Sequence, residues 1–151
     1  MKKEIRHTWQ FDNAPEIVWE YLTKPELMAQ WLMKNDFKPE VGHKFNFTTN
    51  PMPALDFDGK IYCEVLEVSP HTKLTYTWRG GPGDGTTNLD SIVMWTLSPA
   101  ENGTELNLVH SGFDAALNPM MFHAMNKGWD DNVNKKIRNL INTNAHDATH
   151  K

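Results

Sequence analysis

The sequence predicts an α+β fold, in which an antiparallel sheet of six strands packs against one long helix near the C-terminus. From Asn118 to Asn142, apolar residues recur at spacings of three and four, which is the period of an amphipathic helix. From residue 37 to residue 113, apolar and polar residues alternate in short runs separated by turn residues, a pattern typical of strands. Because the strands are consecutive and the helices lie apart from them, the pattern indicates α+β rather than alternating α/β architecture.

The composition is that of a globular protein with many bulky side chains. The 151 residues are 39% hydrophobic and 23% charged, and they include six Trp and eight Met. This length predicts one domain over residues 1–142, followed by a polar, frayed tail over residues 143–151. A net charge of −4 disfavours nucleic acid as a partner, and no apolar run is long enough for membrane insertion. The single cysteine excludes an intrachain disulfide and fits a reducing compartment, so we predict a cytoplasmic protein.

One strand and two short helices are predicted before residue 33. Apolar and polar side chains alternate from Lys3 to Phe11, which predicts a half-buried strand. Pro15 then suits the first position of a helix, because its missing N–H has no partner there. Thr23, followed three residues later by Glu26, matches a capping box, in which each side chain accepts a hydrogen bond from the backbone. The pattern therefore predicts a second helix that is capped by Thr23.

Five more strands are predicted between residues 37 and 113, partly from the turns that separate them. Asp58-Gly59 and Asn102-Gly103 are dipeptides that favour tight turns. The Gly-rich segment 80–85 predicts a flexible connection, and it lacks the Gly-Lys-Ser/Thr ending that holds phosphate in a P-loop. The sequence therefore disfavours nucleotide binding at this loop.

The long helix is predicted to begin at Asn118-Pro119, since Asn is a favourable N-cap and Pro fits the first helical position. Gly128 lies in its interior, where Gly costs about 0.5–1 kcal/mol relative to Ala. This cost predicts a close approach of the helix to a strand or a bulky neighbour at Gly128, so that Gly128→Leu would overpack the fold. The apolar stripe of the helix comprises Met121, Met125, Trp129, Val133, Ile137, Leu140 and Ile141.

Short segments of this sequence match a known superfamily in their order along the chain. They are Val18-Trp19, Leu22-Thr23-Lys24-Pro25-Glu26 with Trp31, Val41-Gly42-His43-Lys44-Phe45, Val65-Leu66-Glu67-Val68-Ser69-Pro70, Leu74-Thr75-Tyr76-Thr77-Trp78, Gly103-Thr104-Glu105-Leu106, His110-Ser111-Gly112-Phe113 and Gly128-Trp129. On these segments the chain resembles the START, or SRPBCC, superfamily of birch-pollen-allergen-like proteins with the helix-grip fold. Within it, the chain is similar to stand-alone proteins related to the C-terminal domain of the activator of the heat-shock-protein-90 ATPase.

The resemblance implies a curved sheet that grips the long helix, with a cavity between them that in many relatives holds a hydrophobic small molecule. It does not imply one activity, because relatives include lipid carriers, polyketide cyclases, toxin-resistance proteins and co-chaperones. One hypothesis is that the chain binds a lipid, an aromatic or a polyketide-like molecule, as a carrier, a sequestering protein or a low-turnover enzyme. The alternative is an interaction module that modulates a chaperone ATPase in a stress response.

We favour the binding hypothesis over the chaperone hypothesis. In the activator, a separate N-terminal domain supplies much of the contact with the chaperone, and this sequence has no room for such a domain. We therefore expect a hydrophobic small molecule as the partner of a monomer or weak dimer, with a chaperone as the alternative partner.

A ligand cavity is predicted between the first half of the long helix and the sheet. Met side chains repack around different shapes and aromatic rings form flat apolar walls, whereas a core built for stability alone uses more Leu, Ile and Val. His110 is the candidate polar contact of the ligand; the alternative is that its ring nitrogens secure the loop from Ser111 to Asp114. The predicted lining comprises Phe45, Phe47, Tyr76, Trp78, Trp95, Leu108, His110, Met121, Phe122, Met125 and Trp129.

No catalytic or metal-binding residue is predicted. Cys63 lies in the middle of a strand, where a small core side chain is favoured over a reactive thiolate, which needs an accessible and electropositive setting. The seven histidines are dispersed; His146 and His150 have helical metal spacing, but they lie in the polar tail. We therefore expect no metal and no other cofactor, and the sequence favours binding over catalysis.

Overall fold

The computed structural model describes residues 3–52, 57–83, 89–113 and 119–149. Within them the chain forms one sheet, two short helices and a long helical region. The elements in chain order are β1 (Lys3–Phe11), α1 (Pro15–Thr23), α2 (Pro25–Trp31), β2 (Lys34–Asn35), β3 (Lys44–Thr48), β4 (Lys60–Ser69), β5 (Lys73–Gly80), β6 (Leu89–Ala100), β7 (Gly103–Phe113), α3 (Pro119–Asp131), a π-helical segment (Asn132–Ile137) and α4 (Arg138–Thr149). We refer to α3, the π-helical segment and α4 together as the C-terminal helix.

The strands form a curved antiparallel sheet in the order β1-β7-β6-β5-β4-β3-β2, which confirms the predicted α+β class. The sheet has seven strands in the described part of the chain rather than the predicted six. The additional strand, β2, pairs only Lys34 and Asn35 with β3, and two residues are too few to show an alternating pattern in the sequence. A register shift between Val65 and Glu67 marks a bulge in β4, and bulges of this kind bend a strand.

The two short helices are joined differently from the predicted capping box. Thr23 is the last residue of α1, and its hydroxyl donates a hydrogen bond to the Trp19 carbonyl oxygen at 2.8 Å. Lys24 is the N-cap of α2 and makes no side-chain cap hydrogen bond, so the capping box of Thr23 and Glu26 is wrong. The physical reason is that a hydroxyl in the last turn of a helix can reach the carbonyl four residues earlier, which competes with capping the next helix.

The C-terminal helix includes a π-helical turn that keeps its buried side chains on one face. Trp129, Val133, Ile137 and Ile141 are all buried, and each lies four residues from the next. On an α-helix a spacing of four advances about 40° around the axis at each step, so this stripe would spiral away from the sheet. A π turn holds more residues, because its hydrogen bonds close between residues five apart. The N–H of Arg138 accordingly donates to the Val133 carbonyl oxygen.

Side-chain hydrogen bonds join another flank of the C-terminal helix to β1. Nε2 of His7 lies 2.8 Å from Oδ1 of Asn126, and the indole Nε1 of Trp9 donates to Oδ1 of Asp130 at 3.0 Å. The guanidinium of Arg138 donates to a β1 carbonyl oxygen at 2.8 Å. These contacts fix the rotation of the C-terminal helix about its own axis relative to β1.

The C-terminal helix is longer than the prediction. Its buried stripe ends at Ile141, and the sequence placed the helix end at Asn142, whereas α4 continues to Thr149. Adding residues to an existing helix is much easier than nucleating one, so a helix can extend past its last packed residue. None of the described helices is long and apolar enough to cross a membrane.

Candidate functional site

A cavity of about 310 Å³ lies between α3, the end of α2 and one end of the sheet. On the sheet side it is lined by Ile61 near the start of β4, Trp78 near the end of β5 and Leu89 at the start of β6. All three side chains are buried. In an antiparallel sheet, each strand begins beside the end of its neighbour. These residues from three strands therefore meet at one end of the sheet.

The helix side of the cavity is formed by two adjacent rows of α3 and the π-helical segment. One row is Met125 and Trp129, which belong to the apolar stripe, and the other is Ala124, Gly128 and Asn132. The second row has a spacing of four, so its members follow one another along the same side of the helix. The side chains in this row are small or absent until Asn132, which leaves space beside the Trp129 ring.

Gly128 does not make the close approach that the sequence predicted. A Cβ atom placed on Gly128 meets no atom within 4 Å, and Gly128 lines the cavity. The close approach from which the overpacking by Gly128→Leu was predicted is therefore wrong. The physical reason is that a helix interior tolerates Gly wherever the missing side chain leaves open space, as well as where backbones touch.

The third side of the cavity adjoins solvent. It is formed by Leu32 and Met33 after α2, by Thr49 after β3, and by Met52 and Phe57. Met52 is 46% exposed, and Thr49 is also exposed, so this side of the cavity wall reaches the protein surface. Leu32, Met33 and Phe57 are partly buried against the core. This side therefore consists mainly of adjustable apolar side chains.

The cavity wall is apolar and uncharged. Thr49 and Asn132 supply its polar side chains, and no Asp, Glu, Lys, Arg or His lines it among the residues that the structure describes. The indole Nε1 of Trp78 is buried and has no hydrogen-bond partner among the residues that the structure describes. A buried donor without a partner costs free energy, so a hydrogen-bond acceptor that reached Trp78 would be stabilising.

Three of the sequence-predicted residues line this cavity, namely Trp78, Met125 and Trp129. Phe122 is half-buried against the core, and the side chain of Met121 lies outside the described residues. The remaining six are buried in the core and do not line the cavity: Phe45, Phe47, Tyr76, Trp95, Leu108 and His110. Aromatic rings pack closely around Trp129, whose ring centroid lies 5.1 Å from that of Trp78 and 5.5 Å from that of Trp95.

The imidazole of His110 is hydrogen-bonded to Trp129 and Ser91, and Ser91 extends the chain of hydrogen bonds to Trp78. The indole Nε1 of Trp129 donates to its Nδ1 at 3.0 Å. Its Nε2 lies 2.8 Å from the Ser91 hydroxyl, which in turn donates to the Trp78 carbonyl oxygen at 2.8 Å. A neutral imidazole has one donor and one acceptor nitrogen, so Nε2 carries the proton and donates to Ser91. Both ring nitrogens are therefore committed within the core.

The described groups offer no evident acid–base catalyst at the cavity. Burial lowers the pKa of His110 to about 3, which keeps its imidazole neutral at physiological pH. Burial also raises the pKa of the Cys63 thiol far above its ordinary value, as expected for a small core side chain. No three His, Cys, Asp or Glu side chains cluster as metal ligands would in the described ranges, and the side chains of His146 and His150 lie outside them.

Sequence reasoning missed most of the cavity lining. Leu32, Met33, Ile61 and Leu89 were not predicted to line it, because no local pattern distinguishes a cavity wall from a core. The row of Ala124, Gly128 and Asn132 carried a signal that could have been used. Two small residues and one polar residue at a spacing of four mark a helix face that is neither a normal core stripe nor a charged surface.

Comparisons with known proteins cover most of the chain. The model of the family described as "Activator of Hsp90 ATPase homolog 1-like protein" matches residues 12–142. The crystal structure of protein MLL2253 from Mesorhizobium loti has 37% sequence identity and a TM-score of 0.77, covering 88% of this chain and 93% of that chain. The solution structure of protein BH1534 from Bacillus halodurans has 29% identity and a TM-score of 0.68, covering 88% and 94%.

A more distant structure shares the fold. The solution structure of the Aha1 dimer from Colwellia psychrerythraea has 18% identity and a TM-score of 0.72, covering 92% of this chain and 96% of that chain. No curated protein matches the chain.

Proposed function

The chain belongs to the family of activator of Hsp90 ATPase homolog 1-like proteins, and on that premise we propose that it binds a hydrophobic small molecule in the cavity between the sheet and α3. The observation that carries this proposal is the cavity itself, which combines a volume of about 310 Å³ with an apolar, uncharged wall. Ligand sites typically start at about 300 Å³ and have mainly hydrophobic walls with a few polar groups. Burial of apolar ligand surface would supply the affinity.

The proposed role is carriage or sequestration of the ligand rather than its chemical conversion. A catalyst needs a group that can donate or accept a proton near neutral pH, or an activated nucleophile, within reach of the ligand. His110 has both ring nitrogens engaged and a pKa lowered to about 3, and it does not line the cavity. We further propose that the protein acts in the cytoplasm. A chain with a single cysteine cannot form an intrachain disulfide, which fits a reducing compartment.

Modulation of a chaperone ATPase is the second candidate, and the family match is the observation that favours it. On this proposal the protein, as a monomer or weak dimer, would bind the chaperone and change its rate of ATP hydrolysis. The two candidates separate in a coupled ATPase assay with purified Hsp90. Ligand binding predicts no change in rate, and the chaperone candidate predicts a dose-dependent increase.

Fluorescence of the neutral apolar probe N-phenyl-1-naphthylamine tests the binding proposal. We expect saturable binding to the wild-type protein and quenching of tryptophan emission, because Trp78 and Trp129 line the cavity. Met125→Trp fills the cavity from α3 and should weaken binding at least about tenfold. Met120→Trp is the matched control: Met120 is 69% exposed and does not line the cavity, so this variant should bind like the wild type.

Two results would contradict the proposal. Absence of saturable binding to the wild-type protein would remove the ligand-binding function and leave the chaperone candidate. Equal probe affinity in the wild type and in Met125→Trp would show that the probe binds somewhere other than this cavity.

A further inference from the structure

We propose that Gly128 and Asn132 set the specificity of the cavity, which selects an uncharged ligand of about two fused rings that carries a hydrogen-bond acceptor. This inference rests on the proposed ligand-binding function. It adds the chemical class of the ligand and the residues that recognise it.

Gly128 provides space for the ring system. Gly in a helix interior costs stability relative to Ala, and such a position usually reflects a close backbone approach or a positive φ. Neither applies here, because a Cβ on Gly128 meets nothing within 4 Å and its φ is not in the left-handed region. The structural effect of the missing side chain is to leave open space in the cavity wall beside Trp129. Gly128 therefore determines how far a ligand can approach the helix backbone.

The size of the cavity limits the ring system. An engineered apolar cavity of about 150 Å³ holds one benzene molecule. The cavity here, at about 310 Å³, is about twice as large, which corresponds to two fused six-membered rings. The rings of Phe57, Trp78 and Trp129 in its wall favour an aromatic ligand, since aromatic rings gain additional energy from edge-to-face and offset contacts.

Asn132 provides the polar contact on the helix side. It lies one turn beyond Gly128, lines the cavity and is half-buried, and its carboxamide forms no hydrogen bond with the described residues. The carboxamide NH₂ can donate to a carbonyl or ether oxygen of a ligand. In contrast, neighbouring Asn134 donates to Asp130 at 2.7 Å and is exposed. Among the described residues, Asn132 thus lines the cavity with a carboxamide that is available to a ligand.

Trp78, on the sheet side of the cavity, carries a second unsatisfied hydrogen-bond donor. It is 4% exposed, it lines the sheet side, and its indole Nε1 is one of two buried side-chain polar atoms without a partner among the described residues. Asn132 therefore offers a donor at the cavity wall, the buried Trp78 donor could meet a bound acceptor after a local shift, and no described side chain of the wall is charged. A carboxylate ligand would lose its hydration without gaining a cationic partner, which is costly.

Three naphthalenes of matched size test the proposal by displacement of N-phenyl-1-naphthylamine. 2-Acetonaphthone carries a neutral acceptor, 2-isopropenylnaphthalene replaces the carbonyl oxygen by CH₂, and 2-naphthoate replaces the methyl group by a charged oxygen. We expect the ketone to bind about 3- to 10-fold more tightly than the alkene, as one net hydrogen bond allows. We expect naphthoate at pH 7.5 to bind at least about tenfold more weakly than the ketone.

Two pairs of variants assign the effect to the named residues. Asn132→Leu should reduce the preference for the ketone over the alkene while retaining alkene binding. Asn139→Leu, at an exposed position of the same helix, should leave the preference unchanged. Gly128→Leu should weaken binding of both neutral ligands more than tenfold, and Gly128→Ala, which adds a single methyl group, should weaken it by a smaller factor.

The outcomes separate this inference from the proposed function. Equal affinities for all three naphthalenes, or an unchanged ketone preference in Asn132→Leu, would refute the inference while ligand binding stands. If neither the naphthalenes nor N-phenyl-1-naphthylamine binds the wild-type protein, both the inference and the proposed function fail.

Discussion

The indole Nε1 of Trp129 donates a 3.0 Å hydrogen bond to Nδ1 of His110, and this contact joins the cavity wall to the core. Trp129 lines the cavity from α3, whereas His110 is fully buried on β7. The bond sets the tautomer of the imidazole. From Nε2 of His110, the chain of hydrogen bonds continues through the Ser91 hydroxyl to the Trp78 carbonyl oxygen. One buried chain of hydrogen bonds therefore holds both Trp129 and Trp78 of the cavity wall in position.

His110 should remain neutral well below its ordinary pKa of about 6.5. Its pKa in the folded protein is lowered to about 3 by burial, so between these values the unfolded chain binds a proton that the folded protein does not. Stability contributed by neutral His110 is fully present above about pH 6.5 and falls as the pH decreases towards 3. The slope from this one group approaches about 1.4 kcal/mol per pH unit.

Nitrogen-15 NMR of the histidine side chains measures this directly. We expect the Nε2–H tautomer for His110 and no protonation between pH 8 and pH 4. In urea unfolding, the slope of unfolding free energy against pH should be smaller in His110→Gln than in the wild type, whatever its absolute stability. Protonation of folded His110 near pH 6 would contradict the buried neutral state.

Ser91→Ala should lower the free energy of unfolding by about 1–3 kcal/mol, because it leaves the Nε2–H of His110 without its acceptor in a buried site. Ser98→Ala is the matched control on the same strand, since Ser98 is exposed, and it should change stability by less than about 0.5 kcal/mol. Urea unfolding followed by circular dichroism gives both values. Equal stability of the two variants would mean that the Ser91 contact contributes nothing measurable.

Gly128→Ala should stabilise the protein by about 0.5–1 kcal/mol. The new methyl group meets no atom within 4 Å, and Ala has the higher helix propensity and restricts the unfolded chain. The urea midpoint should rise with an unchanged dependence on denaturant. A lower midpoint would indicate that the methyl group meets an obstacle, and it would count against open space at Gly128.

Deletion of Lys135 should be tolerated, because it removes one exposed residue from the π-helical segment. The buried positions would then be spaced four, three and four residues apart, which an ordinary α-helix keeps on one face. We expect a loss of unfolding free energy below about 1.5 kcal/mol. Deletion of exposed Asn139, after the π-helical segment, would instead turn Ile141 by about 100° and should cost at least about 2 kcal/mol. Comparable losses in both variants would argue against this role of the π turn.

Much of the architecture could be predicted from local sequence patterns. Alternation identified β1 and most of the sheet, and the apolar period located the C-terminal helix to within a residue of its start at Pro119. The exceptions have local causes. The strand β2 contains two residues, too few for a pattern, and the Thr23 hydroxyl bonds backwards to Trp19 instead of capping α2.

The π turn follows from a feature that the sequence contains but a simple helical reading overlooks. The buried residues Trp129, Val133, Ile137 and Ile141 keep a strict spacing of four, which exceeds 3.6 at every step. A search that accepts spacings of three and of four equally as helical does not detect the difference between 4 and 3.6 residues per turn. It becomes visible when the accumulated rotation is compared with the requirement that all four side chains face one sheet.

The sequence by itself determined the fold class, the place of the long helix and the concentration of Met and aromatic residues in its first half. Only the tertiary structure decided where the cavity lies, that Gly128 and Asn132 line it, and that His110 is bonded within the core. The reason is physical. Periodicity reflects which face of one element is buried, and that information is local to the element. A cavity is the space left between elements distant in sequence, so its position depends on how α2, α3 and the ends of three strands meet.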